Sequence, residues 1–337
     1  MTVTFGLEKP INGESPDVDE LITNHSFILS NMLAYGIDGA TTTNQDNALF
    51  ENLSGTTQID ETVTTSYYDQ TNNIYLFSQT FDDFADGSID TTKFTPSVTG
   101  SGTVVESESN IKLECEAGDS ATLITNGSEG FDALESSGNS EWAMDVIKDS
   151  GDGGSNHKIQ VSNGSTHIDL VSGNSTFTRR LYRVVFNRSG SSCVLFTNEV
   201  AGGEVDISTL GKWYLRWNVD NSSGATNRMR VYHTSLARSG SVGSQDLVTA
   251  TQTSKTTSDV AIANVRMTVG TANLSGTAVA VSFDNGLNYS SGSTGVLIRN
   301  STAGTEVKSK FTVDFATTIT ASQRNIPSIS DYGVYYG

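Results

Sequence analysis

A chain of 337 residues carries 38 Asp+Glu against 20 Lys+Arg, a formal net charge of −18, with only 17 % charged residues. A field of that sign repels phosphate backbones, so no nucleic-acid partner is expected, and no segment approaches the ~20 apolar residues of a membrane span, so no membrane insertion is expected. Four prolines among abundant Gly, Ser, Thr and Asn suit many short strands joined by tight turns and suit helices poorly.

The N-terminus, MTVTFGLEKP, has no basic region followed by an apolar run, so no signal peptide is expected. Residues 1–15 read as an extended arm. One helix follows. Ser15 caps it, Pro16 suits its first position, and Asp17, Asp19 and Glu20 complement its N-terminal dipole. Val18, Leu21, His25, Ile28, Met32 and Tyr35 form a short heptad seam, and Gly36 supplies a stop. The helix either packs on its own domain or packs against copies of itself. Residues 41–79 read as a polar linker and a lead-in hairpin around Asp69–Asn73.

From Phe81 onward, apolar alternation recurs every 8–12 residues between Gly/Ser/Asn turns. Glu141–Lys148 places Trp142, Met144 and Val146 on one face. Asn163-Gly164 is a hairpin signal between two strands. Gly211–Leu236 reads as a hairpin. Trp213, Leu215, Trp217 and Val219 share one face, as do Met229, Val231 and His233. Pairing about Ser223 sets Trp217 opposite Met229, Leu215 opposite Val231 and Trp213 opposite His233. The same register sets Arg216 opposite Arg230 and Tyr214 opposite Tyr232. Val260–Val269 closes this domain. After Gly276 come further strands, an Asp284-Asn285-Gly286 turn, and a closing strand over Ile326–Tyr336.

The expected fold is all-β: an antiparallel β-sandwich (jelly roll) with a short N-terminal helix and a smaller C-terminal β-sandwich module. The expected divisions are 1–40, an attachment and oligomerisation segment; 41–79, linker and lead-in; 80–270, jelly roll; and 271–337, small module. Cys115 and Cys193 lie in apolar strand patterns and read as two buried thiols, although one disulfide would satisfy them too. Four scattered histidines make no zinc site.

Two stretches carry a resemblance. FDDFADGSIDTTKF and GKWYLRW followed by RMRVY resemble concanavalin A-like (laminin-G/laminarinase-like) jelly-roll domains. VSFDNGLNYSS and PSISDYGVYY resemble small β modules of tail and fibre proteins of tailed viruses. Enzymes of the first family place Glu-x-Asp-x-x-Glu on one strand. Here the nearest match is Glu141, Asp145 and Lys148, with the wrong spacing and a lysine in place of an acid, so no catalytic residue is carried over. No cofactor is required. Calcium is the one cation the residues suggest, at Asp82, Asp83 and Asp86, against the plainer reading of an acidic turn. The polar face of the long hairpin, Tyr214, Arg216, Arg230 and Tyr232, is the candidate glycan surface, against the plainer reading of ordinary sheet surface.

The expectation that follows is a non-enzymatic virion structural protein: a fibre, spike or capsid decoration subunit on the virion surface. It would form a homo-oligomer, a trimer with a pentamer as rival. It would join other virion proteins through its N-terminal arm and contact host-surface carbohydrate. The alternative is a cellular carbohydrate-binding lectin or adhesin, and behind it a glycoside hydrolase.

Overall fold

The computed structural model describes residues 42–45, 48–51, 53–107, 109–126, 139–150, 155–221, 226–238, 243–253, 262–272, 277–293, 296–304, 306–315 and 324–336. The helix seam at Val18, Leu21, His25, Ile28, Met32 and Tyr35 lies outside them. Among the described residues every regular element is a strand except one turn of 3₁₀ helix at Ser208–Leu210. No helix there is long and apolar enough to cross a membrane.

The chain divides into two compact units. One comprises Met1–Phe77, Ser244–Asp314 and Pro327–Gly337; the other comprises Ser78–Gly243 and Phe315–Ile326. The expected boundaries at 80–270 and 271–337 differ from this. The strand expected to close the jelly roll belongs to the other unit, and that unit is assembled from three separated stretches of chain. Local alternation marks a strand but carries no information on which sheet receives it.

In chain order the first unit begins with β1 (Thr42–Gln45), β2 (Ala48–Glu51), β3 (Tyr67–Asp69) and β4 (Ile74–Leu76). The second unit holds β5 (Gln79–Asp82), β6 (Phe94–Thr99), β7 (Thr103–Ser107), β8 (Asn110–Cys115), β9 (Ser120–Thr125), β10 (Ser140–Ser150) and β11 (Ser155–Ser162). It continues with β12 (His167–Gly173), β13 (Phe177–Asn187), β14 (Ser192–Thr197), β15 (Val200–Asp206), β16 (Tyr214–Asn221) and β17 (Asn227–Arg238). The first unit resumes with β18 (Gly243–Val248), β19 (Gln252–Thr253), β20 (Ile262–Ala272), β21 (Thr277–Ser282), β22 (Ser290–Gly292), β23 (Leu297–Gly304), β24 (Glu306–Phe315) and β25 (Ser328–Tyr336).

The second unit is an antiparallel sandwich. One sheet runs β15-β14-β13-β10-β17-β8-β7, with β5 joined to β17; the other runs β12-β11-β16-β9-β6. Their facing sides follow the two-residue period of the sequence. Trp142, Met144 and Val146 of β10 and Met229 and Val231 of β17 meet Ile159 and Val161 of β11 and Leu215, Trp217 and Val219 of β16. The ring of Trp217 is fully buried and stands edge-on to Phe94, with centroids 6.2 Å apart. Cys115 and Cys193 are both free and buried in this core. The Asn163-Gly164 turn is present: Gly164 adopts a φ of 96°, and Asn163 Oδ1 accepts from the amides of Ser165 and Thr166. Pro96 sits on edge strand β6, where its missing amide breaks no central ladder.

The long hairpin expected over Gly211–Leu236 does not form. β16 lies between β11 and β9 in the five-stranded sheet, so Trp217 pairs with Ile159 and Leu123. β17 lies between β10 and β8 in the eight-stranded sheet, so Met229 pairs with Leu113. The chain crosses from one sheet to the other between Asn221 and Asn227. Asn227 secures the corner, donating from Nδ2 to the carbonyls of Asp220 and Asn156 at 2.8 and 2.7 Å. Both apolar faces are buried against each other across the core, and the alternation that suggested one paired ribbon serves two sheets equally well.

The other unit packs a sheet containing β1-β2-β25-β20-β23 and the β3–β4 pair with a sheet of β18-β24-β21-β22 and β19. Phe77, Leu247, Met267, Val281, Phe311 and Tyr332 lie in its core. The expected Asp284-Asn285-Gly286 turn forms. Asn285 and Gly286 take positive φ, and Asp284 Oδ1 accepts from the Asn288 amide at 2.8 Å.

Candidate functional site

The outer face of the eight-stranded sheet gathers the groups with chemistry to offer. In β10, Glu141, Ala143 and Asp145 alternate with the core residues and turn outward. Two irregularities decide the rest. β17 carries an extra residue opposite β10, since Asp145 pairs with His233 while Val146 pairs with Val231. Such a bulge shifts the side-chain period by one. Beyond it Thr234 and Leu236 fall on the core side, and His233 faces out beside Asp145. His233 was expected on the apolar face; the bulge reverses it. It is only 3 % exposed, and burial, then the nearby Arg179 charge, hold its imidazole down to about 3. The second irregularity puts an extra residue in β13, where Arg180 and Phe177 oppose Val146 and Lys148. Lys148 follows Val146 by two positions and shares its inward side, where its Nζ donates to the Asn174 carbonyl at 2.8 Å.

Arg179 stands over the Tyr232 ring, its guanidinium carbon 4.1 Å from the centroid, and its Nε donates to Asp145 Oδ2 at 2.5 Å. Toward β8, Arg230 pairs in register with Lys112, and Arg228 with Glu114. The Glu114 carboxylate takes Arg228 at 2.5 Å and Lys112 at 3.8 Å. Tyr232, Arg179, Arg228, Arg230 and Lys112 are all half-buried.

Glu141 has a different job. It is fully buried, with Arg183 Nη1 on one oxygen at 3.2 Å and the amides of Asn325 and Ile326 donating to the other. Arg183 also donates to the Ile326 carbonyl at 3.1 Å and meets Glu199 at 2.7 Å. Glu141 is thus a staple for the 324–326 segment. Glycoside hydrolysis needs two carboxyls about 5–9.5 Å apart, one with a raised pKa. Glu141 and Asp145 lie four positions apart on one strand, roughly 13 Å, and each is held by an arginine.

The sequence-derived glycan set is divided between the two sheets. Arg230 and Tyr232 lie on the eight-stranded sheet, and Tyr214 and Arg216 on the outer face of the five-stranded one, so the four do not form one patch. Arg216 is enclosed by its own neighbours. It donates to Gln160 Oε1, and from Nη2 to Thr122 Oγ1 and Asn218 Oδ1, both at 3.0 Å. Gln160 in turn donates to Asp169 at 2.5 Å, and Asn218 to Asp220 at 3.1 Å. This ladder ties four strands together. Arg179 and Lys112, which complete the other cluster, were missed because a single-hairpin register gives no view of strands β8 and β13.

Asp82, Asp83 and Asp86 do not converge. Each caps a backbone amide two residues on: Phe84 at 2.8 Å, Ala85 at 3.3 Å and Ser88 at 3.0 Å. Asp82 also holds Lys93 at 3.3 Å. Among the described residues no group of three or more His, Cys, Asp or Glu is placed to hold a metal ion. The acidic run is a turn whose carboxylates bind their own loop. Glu106 joins it from β7. Its Oε1 accepts from the Gly87 amide at 3.0 Å, and burial, then a hydrogen bond with the Asp86 side chain, push it up to about 7.

No protein-family model and no curated protein matches this sequence. Among solved structures, similar chains include a sialidase (11 % identity, TM-score 0.36), covering 48 % of this chain and 18 % of that one. The catalytic domain of an endo-1,3-beta-glucanase (laminarinase) from Thermotoga petrophila is 10 % identical with a TM-score of 0.34, covering 47 % of this chain and 97 % of that one. A beta-1,3-glucanase from Mycobacterium marinum is 12 % identical with a TM-score of 0.32, covering 46 % of this chain and 96 % of that one. The chain spans less than a fifth of the sialidase's length. These similar chains bear the names of glycan-directed enzymes and none is a virion component. The expectation of a non-enzymatic virion structural protein is overturned on this finding, as is the expectation that the chain is no enzyme, and neither is carried forward. At these identities the likeness is one of fold.

Proposed function

We propose that the jelly-roll unit engages carbohydrate on the outer face of its eight-stranded sheet, around Tyr232 and Arg179. The observation that carries this reading is the assembly of Arg179 between the Tyr232 ring, 4.1 Å away, and Asp145, 2.5 Å away. The bulge in β17 sets the ring beside the ion pair. A guanidinium stacked on an aromatic ring and fixed in direction by a buried carboxylate suits a sugar whose hydroxyls accept from the guanidinium while its C–H groups meet the edge of the stack. The five-stranded face supports the reading less well, since Arg216 there is committed to Gln160, Thr122 and Asn218.

The test is retention of the whole chain on immobilised glycans, neutral and acidic, with release of reducing ends followed in the same samples. Retention separates binding from turnover. Tyr232→Ala is expected to abolish retention while the unfolding midpoint stays close to that of the parent. Equal retention by Y232A and the parent overturns this placement of the site.

A further inference from the structure

The same face differs in charge from the rest of the molecule. The chain as a whole carries −18. Among the described side chains on the outer side of β8, β17, β10 and β13, five cations (Lys112, Arg179, Arg183, Arg228 and Arg230) stand against three carboxylates, Glu114, Glu141 and Asp145. This strip is locally positive within a strongly negative protein.

Its geometry is regular because the sheet makes it so. Arg230 and Lys112 are directly opposite across one ladder, about 5 Å apart at Cβ. Arg228 and Arg230 are two positions apart on one strand and share a face, roughly 7 Å from each other. Glu114 holds Arg228 and Lys112 side by side, and Asp145 holds Arg179 against Tyr232. The carboxylates thus fix the directions of the cationic heads and reduce the entropy lost when a ligand meets them. Arginine presents a planar fork that fits a carboxylate bidentately.

We infer that this face selects a glycan bearing uronate carboxylates, with Arg228, Arg230 and Lys112 meeting the carboxylates and Tyr232 with Arg179 meeting an adjoining sugar ring. The inference rests on the carbohydrate reading above and specifies its ligand class. Duplex DNA, with about one charge per 1.7 Å of axis, is repelled most by the surrounding negative field, whereas a polyuronate carries at most one carboxylate per sugar ring. Neutral glycans would gain nothing from three cationic heads two strands wide.

The experiment uses the whole chain and four probes: polygalacturonate, the same polymer fully methyl-esterified, a neutral β-glucan, and duplex DNA. Binding is read by affinity electrophoresis and titration calorimetry at two salt concentrations. Polygalacturonate is expected to bind, its ester to bind at least about tenfold more weakly, and the affinity to fall with salt. R228Q/R230Q should weaken polygalacturonate about tenfold or more, and K112Q should weaken it less, both with unfolding midpoints near the parent's. Should the double variant fail to fold, R230Q alone carries the test. Equal affinity for the acid and its ester overturns the inference, as does tighter binding of DNA. Binding of the neutral β-glucan alone overturns the uronate inference and leaves the carbohydrate reading standing. Binding of none of the three glycans removes both.

Discussion

Glu106→Gln isolates one titration. Glu106 is only 6 % exposed, points toward the sandwich interior beside Ile111, and accepts the Gly87 amide at 3.0 Å. Burial first, then the Asp86 carboxyl, move it from 4.5 up to about 7, so the folded protein favours its protonated form. Below pH 4.5 the group is protonated whether the chain is folded or not, and it adds no pH dependence. Between 4.5 and 7 the folded state keeps a proton that the unfolded state releases, so stability falls as pH rises through this window. Above pH 7 the loss is complete. At 1.36 kcal/mol per pH unit it amounts to about 3 kcal/mol. Glutamine keeps an oxygen for Gly87 and has an N–H for Asp86, but it has no proton to lose. All three tryptophans, Trp142, Trp213 and Trp217, are in the core of this unit, so fluorescence-detected urea unfolding reports on it directly. Between pH 5 and 8 the difference between E106Q and the parent should grow in favour of E106Q, approaching about 3 kcal/mol at pH 8. A difference that stays constant across that range refutes the argument, because every other titrating group is common to both proteins.

Three further outcomes follow from the packing. Trp217→Ala should cost about 3–5 kcal/mol, since its ring is fully buried against Phe94 in the middle of the core, with W217F losing less; urea midpoints check this. Glu141→Leu should cost about 3–5 kcal/mol by removing one of the two carboxylates on the buried Arg183 and the acceptor of two amides of the 324–326 segment, with E141Q milder; the same measurement, with proteolysis near Arg324, separates the two. Cys115 and Cys193, pushed up to about 11 and about 12 by burial, should resist Ellman's reagent in the folded protein and react as two thiols after denaturation. Stoichiometric reaction of either in native buffer would contradict their placement.

Strands were legible in the sequence and partnerships were not. Trp213, Leu215, Trp217 and Val219 alternate as a strand must, and all four are core residues. The Asn163-Gly164 turn carries its own backbone chemistry and was readable for that reason. The pairing of Trp217 with Ile159 and Leu123, distant in the chain, follows from the sandwich topology, which no local pattern encodes. The bulge at Tyr232–His233 was equally hidden. One inserted residue inverts which side of the sheet every later residue occupies, and nothing in RMRVYHTSL marks it. The candidate site suffered most, because it lies on that bulge and draws Arg179 and Lys112 from strands outside the stretch that suggested it.

The division of the chain into an interrupted unit and an inserted one bears on the order of assembly. β2 pairs with β25, so that ladder closes only when almost the whole described chain has been made. The strands β5 to β17 are contiguous and can pair while the rest is still emerging. Closing a loop costs entropy that grows as (3/2)RT ln n with its length. Once β5–β17 have folded, most of that loop is already a compact body. The ends that must meet are then joined by a much shorter free path. Because β5 pairs with β17, a jelly roll folded first holds its two chain ends on neighbouring strands, and the loop left to close between β2 and β25 is shorter by its length.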